Sequence, residues 1–251
     1  MYQKERMTEL LKVISQKKLV DIKELEKLTF VSRSTLRRDL IELEKERKII
    51  RHFGQVELVK DTNIEFGYNV RANEHEQEKK KIAKIAGDFI GNNQALFVDS
   101  SSTCIQLWPY LTKCDNLIII TNGIHLASLL VENPHIETFI CGGRLRNLSG
   151  SILGETAINY LNNFHADLTF ISCTGFDENG VYMASEDQSF LKRKMMELSE
   201  EVVLLCDSSK VNKKDYFRMC GQEQIDYLIT DKPLPEKMGE LLQSKEVEVL
   251  Y

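Results

Sequence analysis

One stretch near the start of the chain carries hydroxyl and guanidinium groups at helical spacing. On a helical wheel of about 100° per residue, Leu36, Leu40 and Leu43 share one side, and Arg38 lies nearly opposite. An arginine can bond guanine bidentately, and hydroxyls and further cations suit phosphate oxygens. The stretch predicts a DNA-reading helix, and a merely solvated basic face is the alternative. The candidate contacts are Ser32, Arg33, Ser34, Thr35, Arg37 and Arg38.

The elements around this stretch have the order of a winged helix-turn-helix. Apolar spacing predicts a helix over 3–17, and a shorter helix over 22–28 begins after Asp21, a good N-cap residue. Ser32 is the expected N-cap of the third helix, which we expect to end near Arg47. Three helices before a hairpin predict a winged helix-turn-helix over residues 1–58.

The predicted hairpin covers residues 49–58 and has partly alternating apolar residues and one glycine. It carries Arg51 and His52, which are candidates for contacts with the DNA backbone or minor groove. An ordinary polar role on the hairpin surface is an equally open interpretation of these two residues.

The charge is divided unevenly along the chain. Residues 1–60 hold 15 Lys and Arg against 10 Asp and Glu, so this part has a net charge of +5, whereas the whole chain has −5. A basic module attached to an acidic body is typical of a protein that binds a polyanion through one part only.

Short apolar runs alternate with helical patterns in the rest of the chain, which indicates an α/β domain with a Rossmann-like parallel sheet over residues 74–251. Residues 59–73 are polar and poorly periodic, and we expect them to be a linker. The predicted strands cover residues 95–99, 117–121, 136–140, 168–172, 202–206, 226–229 and 247–250. The predicted helices between them cover residues 103–111, 123–132, 154–163, 186–200 and 234–243.

Polar loops follow several of these strands, where parallel α/β sheets bind their ligands. Hydroxyls and helix N-termini suit a phosphate group, glycines permit close backbone approach, and Arg and Lys pair with anions. Ordinary helix caps and turns are the alternative for any single loop. The candidate effector residues are Asp99, Ser100, Ser101, Ser102, Thr103, Thr121, Asn122, Gly142, Gly143, Arg144 and Lys210.

Composition excludes several other classes of protein. The chain is 42% hydrophobic and 28% charged, and no apolar run approaches the roughly 20 residues that span a bilayer. The six cysteines form no C-x-x-C pair and the five histidines are scattered, so we expect free thiols and no metal site. We expect a cytoplasmic protein without a signal peptide and without a cofactor.

The run from Val31 to Glu44, followed by Arg51 to Gly54, resembles the signature of the DeoR family of bacterial regulators. The second domain is similar to the family's sugar-phosphate sensor, whose fold is related to ribose-5-phosphate isomerase. The family commonly has Gly and Thr where Ser101 and Ser102 stand, and a side chain at 101 is expected either to narrow the phosphate pocket or to alter the effector. Three further departures are Glu26 for a small residue, and Arg47 and Gln55 for glycines. The sensor pattern matches Asp99 to Thr103, Thr121, Asn122, Gly142, Gly143, Gly154, Asp167, Gly175, Gly180, Glu186, Lys192 and Asp207 to Lys210.

The resemblance implies a transcriptional regulator, a repressor of a carbohydrate-utilisation operon, whose affinity for operator DNA is set by a phosphorylated sugar or a similar small anion. It also implies a homo-oligomer, which fits the short half-site that one helix-turn-helix reads. One alternative is a sugar-phosphate isomerase in which Asp99, Glu186, Lys192 or Lys210 supplies the acid and base groups. A protein-interaction module is a second alternative, but it leaves the basic N-terminal part unexplained.

Overall fold

The structure, a computed structural model, describes residues 3–17, 19–29, 31–46, 48–58 and 67–251. The chain divides into two compact units, Met1–Phe66 and Gly67–Tyr251. Each unit has a hydrophobic core of its own.

The first unit contains three helices and a three-stranded antiparallel sheet, which confirms the predicted winged helix-turn-helix. Its sheet has the order β1-β3-β2, and Val20 of β1 is buried opposite Val56 of β3. Strand β1 was not predicted from the sequence, because three residues are too few to show alternation. The elements are α1 Gln3–Lys17, β1 Leu19–Asp21, α2 Ile22–Thr29, α3 Arg33–Lys45, β2 Ile49–Arg51 and β3 Gln55–Leu58.

The apolar side of α3 anchors this unit. Leu36, Leu40 and Leu43 are fully buried in a core that α1, α2 and the sheet complete. Burying a leucine side chain contributes about 1.5–3 kcal/mol, so these residues fix which side of α3 faces outward. The Arg6 guanidinium of α1 also donates to both carboxylate oxygens of the buried Asp39, at 2.9 and 3.1 Å.

A seven-stranded parallel sheet forms the centre of the second unit, in the order β15-β14-β12-β9-β4-β5-β6. All seven predicted strands lie in this sheet, which confirms the predicted fold class. The strands are β4 Ala95–Val98, β5 Leu117–Thr121, β6 Ile136–Ile140, β9 Ala166–Ser172, β12 Ser199–Leu205, β14 Tyr227–Ile229 and β15 Glu248–Leu250. The helices are α4 Tyr68–Asn73, α5 Glu76–Ala86, α6 Trp108–Leu111, α7 Ile124–Leu130, α8 Glu155–Leu161, α9 Glu186–Glu197 and α10 Glu236–Ser244.

The order in which the chain adds strands to the sheet changes direction between β4 and β9. From β4 the chain adds β5 and β6 on one side, and it then returns to place β9 on the other side of β4. The connections therefore leave in opposite directions from these two neighbours and open a crevice at their carboxyl ends. Asp99 follows β4 and Ser172 ends β9, so both lie at this switch point.

Two small sheets were not predicted. A hairpin pairs β7 Arg144–Arg146 with β8 Ser151–Leu153, and a three-stranded sheet contains β10 Gly175–Asp177, β11 Gly180–Met183 and β13 Phe217–Cys220. Each strand has only three or four residues, which is too short for a clear period in the sequence.

The predicted linker needs correction where the structure describes it. Residues 59–66 lie outside the described residues, whereas α4 is helical and belongs to the second unit. Tyr68 stacks on His125 with 3.8 Å between ring centroids, and its backbone N–H donates to the carbonyl oxygen of Leu148 at 2.7 Å. These tertiary contacts order a segment whose local sequence has little periodicity.

The helix predicted over 103–111 also differs. A 3-10 turn, Cys104–Leu107, precedes α6, which has Pro109 in its first turn. Proline is favoured in the first turn of a helix and interrupts the middle of one, so the helix is divided here. In the part of the chain that the structure describes, no helix is both long and apolar enough to cross a membrane.

The Asp39–Arg6 pair predicts the effect of a substitution on the first unit. Asp39→Asn in the full chain should increase amide hydrogen exchange in α1 and α3, because it removes a buried charge that holds two helices together. Glu42→Gln is the matched control, since Glu42 makes only a solvent-exposed pair with Lys45. Equal exchange in the two variants would show that the Asp39–Arg6 pair does not stabilise this unit.

Candidate functional site

The outward side of α3 presents the predicted DNA-contacting residues. Ser32 caps the helix, and its hydroxyl oxygen accepts from the Thr35 backbone N–H at 3.4 Å. Among the described residues, Arg37 and Arg38 are exposed and make no hydrogen bond or ion pair within the protein. Unpaired guanidinium groups beside a capped helix start are free to meet a polyanion.

Arg33 and Ser34 lie on the same exposed surface, and Thr35 is half-buried beside it. The Nε of Arg33 is 3.7 Å from a carboxylate oxygen of Glu26, and the Arg33 side chain is 82% exposed. Glu26 is thus a weak, releasable partner that orients Arg33 across the turn between α2 and α3.

The two hairpin candidates have protein partners instead. Arg51 contacts the Glu44 carboxylate of α3 at 2.6 Å, and this bond lowers the pKa of Glu44. His52 lies 2.9 Å from Glu57 on the facing strand. Both contacts stabilise the hairpin, so these side chains are less available for DNA than Arg37 and Arg38.

At the switch point of the second unit, Asp99 and Lys192 form a fully buried ion pair at 2.6 Å. Asp99 also accepts the backbone N–H groups of Ser101 at 2.7 Å and of Ser172 at 2.9 Å. Burial alone would raise the pKa of Asp99, but Lys192 and these donors hold it below its usual value. Asp99 was predicted to bind an effector, yet every contact shown holds the loop after β4 against β9 and α9.

A second lysine reaches the same place from the loop after β12. The Lys210 ammonium lies 3.0 Å from the Asp207 carboxylate, 3.1 Å from the Ser172 hydroxyl and 3.4 Å from the Thr103 hydroxyl. Burial alone would raise the pKa of Asp207, but Lys210 and Ser209 lower it to about 2. Lys210 and Thr103, both predicted site residues, are thus brought together.

A third lysine, Lys79 of α5, was missed by sequence reasoning. Its buried ammonium donates to the Ser102 hydroxyl at 3.1 Å, to the Glu74 carbonyl oxygen at 2.7 Å and to the Arg71 carbonyl oxygen. Burial and the like charge of Lys210 lower the pKa of Lys79 to about 8. The sequence signal for a buried lysine was its spacing, because Lys79 lies on the apolar side of α5 together with Ile82, Ala83 and Ala86.

Ser100 and Asn122 form the wall of the site on the β5 side. The Asn122 side-chain oxygen accepts from the Ser100 N–H at 3.0 Å, and the Ser100 and Ser151 hydroxyls are 2.7 Å apart. Thr121 is fully buried, and its hydroxyl accepts from the Gly123 N–H at 3.0 Å. Thr121 and Asn122 therefore shape the loops, and Ser100 is the more exposed of the three.

The loop after β6 makes a different set of contacts. Gly143 has φ +153° and a Cβ there would lie 2.8 Å from the Leu153 carbonyl oxygen, so glycine is needed for its close approach to β8. Arg144 is exposed and pairs with Asp187 at 2.7 Å. No contact joins Gly142, Gly143 or Arg144 to the three lysines within the described residues.

The two serines that depart from the family pattern have separate roles. Ser101 accepts from the Cys104 N–H at 3.0 Å and so caps the 3-10 turn, whereas Ser102 receives the bond from Lys79. The Ser101 side chain is therefore bonded within the turn, and its effect on the phosphate pocket stays a prediction. We call Lys79, Ser100, Ser102, Thr103, Ser172 and Lys210 the switch-point site.

Comparisons with known proteins agree with this two-part architecture. The DeoR-like helix-turn-helix domain matches residues 6–62, and the DeoR C terminal sensor domain matches residues 74–232. The chain is 32% identical over 250 residues to the HTH-type transcriptional repressor GlcR of Bacillus subtilis, covering 100% of this chain and 96% of that protein. It is 28% identical over 250 residues to the glycerol-3-phosphate regulon repressor of Escherichia coli, covering 99% of each.

Among solved structures, ribose 5-phosphate isomerase A of Methanocaldococcus jannaschii is similar over 55% of each chain, with 15% identity and a TM-score of 0.41. Both halves of the chain match the models of one family, and a curated repressor matches along the whole length. The chain therefore belongs to the DeoR family of DNA-binding transcriptional regulators.

Proposed function

We propose that this regulator is a repressor that binds operator DNA through the exposed side of α3 and senses a phosphorylated sugar at the switch-point site. Arg33, Arg37 and Arg38 carry the DNA interaction, and Ser34 and Thr35 add hydroxyls at the start of the helix. Two relatives support this assignment, since the transcriptional repressor GlcR and the glycerol-3-phosphate regulon repressor are both similar over the full chain.

One observation carries the effector proposal: two lysines converge on one hydroxyl-rich loop with too little negative charge between them. Lys79 reaches Ser102 and Lys210 reaches Thr103, which are adjacent residues. Asp207 pairs with Lys210, but the Lys79 ammonium donates only to neutral oxygens among the described residues. A phosphate group at this loop would supply the missing charge and accept from both ammonium groups.

The polar wall of the site favours a sugar as the rest of the ligand. Ser100, Ser151 and Asn122 form a network of hydroxyl and amide groups next to the cationic part. Hydroxyls of a sugar can exchange hydrogen bonds with such groups, whereas an apolar ligand offers them no donor or acceptor. The ligand is therefore a phosphorylated sugar with its phosphate toward Lys79 and Lys210.

Asp99 is a poor base for the isomerase alternative. Enolisation requires a carboxylate that can take a proton from carbon. Asp99 is buried, paired with Lys192 and bonded by two backbone N–H groups, and its low pKa makes it a weak base. We therefore assign Asp99 and Lys192 a positioning role in a binding protein.

Lys79 also offers a route by which ligand binding reaches the DNA-binding unit. Its ammonium holds the carbonyl oxygens of Arg71 and Glu74 at the end of α4, the helix that follows residues 59–66 in the chain. A phosphate that draws this ammonium toward Ser102 weakens its hold on α4. Binding then changes the DNA affinity by the difference between the ligand's affinities for the two states.

The operator is double-stranded DNA, and we propose that a homo-oligomer binds it. One helix-turn-helix reads a short half-site, so two copies on a repeated sequence provide the affinity that one copy lacks. Arg37 and Arg38, free of protein partners in the described structure, are the groups that gain most from phosphate and guanine contacts.

The first prediction concerns the DNA-binding surface. Arg38→Ala should weaken binding to a fragment of the regulator's own upstream region by about 1–3 kcal/mol, with an unchanged melting temperature, because Arg38 has no partner among the described residues. Fluorescence anisotropy and thermal melting measure the two quantities.

Lys45→Ala is its matched control, since Lys45 is exposed at the other end of α3 and pairs with Glu42. An equal loss of DNA affinity in both variants would indicate only a general charge effect. A lowered melting temperature in Arg38→Ala would show a structural role.

A second prediction is a thermal shift. Among pentose and hexose phosphates, at least one should raise the melting temperature of the full chain, and its unphosphorylated sugar should not. Lys210→Gln should remove the shift, because it deletes one of the two converging cations. A shift by the free sugar, or conversion of the sugar phosphate into an isomer, would contradict the proposal.

The third prediction concerns pH. In the ligand-free protein the pKa of Lys79 is about 8. Raising the pH from 7 to 9 therefore removes the proton of its ammonium group and should weaken sugar-phosphate binding about tenfold. The ligand is not the cause, because a phosphate ester with a second pKa of about 6 is already a dianion at pH 7.

Calorimetry on Lys79→Gln should show a flat profile over this range. Lys80→Gln, which changes an exposed lysine paired with Glu76, should retain the wild-type profile. The same pH dependence in all three proteins would rule out Lys79 as the titrating group.

A further inference from the structure

Two buried cysteines lie side by side beneath the switch-point site. Cys173 and Cys206 have their sulfur atoms 3.7 Å apart and are 5% and 0% exposed. They follow Ser172 and Leu205, which are register partners on the adjacent parallel strands β9 and β12. The function proposed above uses neither thiol.

The backbone places these cysteines at a spacing that a disulfide accepts. Neighbouring strands lie about 4.8 Å apart, and disulfides join Cα atoms about 4.4–6.8 Å apart. The sulfur atoms must close from 3.7 Å to about 2 Å, which side-chain rotation at two strand ends can accomplish.

The surroundings make the two thiols chemically unequal. The S–H of Cys206 and then the charges of Lys210 and Lys192 lower the pKa of Cys173, against the effect of burial. The pKa of Cys206 is raised, first by its contact with Cys173 and then by burial. Cys173 is thus the nucleophile and Cys206 keeps its proton.

We propose that Cys173 and Cys206 form a peroxide-reactive dithiol that converts reversibly into a disulfide at the base of the switch-point site. The Cys173 thiolate attacks one oxygen of hydrogen peroxide, the O–O bond breaks, and hydroxide leaves to give a sulfenic acid. The Cys206 thiol then displaces water and forms the S–S bond. The two steps together oxidise two thiols to one disulfide and reduce one hydrogen peroxide to two molecules of water.

The location of this pair gives the reaction a consequence for sensing. Ser172, next to Cys173, accepts from the Lys192 ammonium through its carbonyl oxygen at 2.5 Å and from the Lys210 ammonium through its hydroxyl oxygen at 3.1 Å. Asp207, next to Cys206, pairs with Lys210. A disulfide draws together the two strand ends that hold these lysines, so oxidation is a second input to the same site.

Peptide mapping of the full chain tests the proposal directly. After brief treatment with hydrogen peroxide and alkylation of free thiols, tryptic digestion should release peptides 147–192 and 195–210 joined by a disulfide. The link should disappear with dithiothreitol. It should form before Cys104 and Cys141, which are also buried, lose their reactivity toward alkylation in unfolded protein.

Single substitutions separate the two roles. Cys206→Ala should leave Cys173 as a sulfenic acid that a dimedone probe traps, whereas Cys173→Ala should leave Cys206 reduced. The wild-type map is informative even if a variant does not fold. The proposal fails if Cys173 and Cys206 stay reduced while the less buried Cys114 is oxidised, or if Cys206 links to Cys220 instead.

Discussion

The buried ion pair between Asp99 and Lys192 is the interaction on which the second unit depends. It joins the end of β4 to α9, while the Asp99 carboxylate also holds the backbone N–H groups of Ser101 and Ser172. Leaving one member of a buried pair without its partner costs about 3–5 kcal/mol, so each charge fixes the position of the other. This pair fixes the loop that offers Ser102 and Thr103 to Lys79 and Lys210.

The exposed side of α3 and the switch-point site meet different physical requirements. On α3, buried leucines set the orientation of the helix, and Arg37 and Arg38 on the exposed side remain without protein partners in the described structure. At the switch point, by contrast, nearly every polar group is already bonded, and the excess of positive charge is what remains for a ligand to neutralise. A sensor needs such a defined resting state, because only a difference between two states can change DNA affinity.

The sequence was most informative where hydrophobic period or a strong cap determines structure. The seven strands of the parallel sheet and the leucine side of α3 follow from short apolar runs and from a 3.6-residue period. Helix α4 did not follow, because the stacking of Tyr68 on His125 and the bond to Leu148 are tertiary contacts. The strands β7 and β10 were not predicted, because three residues are too few to show a period of two.

The candidate site was predicted only in part, again because a sequence pattern does not show tertiary contacts. The sequence predicted that the loop after β4 and Lys210 lie at one edge of the sheet. It could not show that the Asp99 carboxylate is already paired with Lys192 or that Arg144 pairs with Asp187. Lys79 lies 23 residues before Ser102 in the sequence and on a helix, so only the fold brings its ammonium to the Ser102 hydroxyl.

The most direct test of the account is a reciprocal binding measurement with the sugar phosphate that stabilises the protein. Its affinity is measured by calorimetry with and without operator DNA, and operator affinity is measured by anisotropy with and without the sugar phosphate. Linkage predicts that the two affinities change by the same factor, about 5–150-fold. Equal affinity of the sugar phosphate for free and DNA-bound protein would contradict the account.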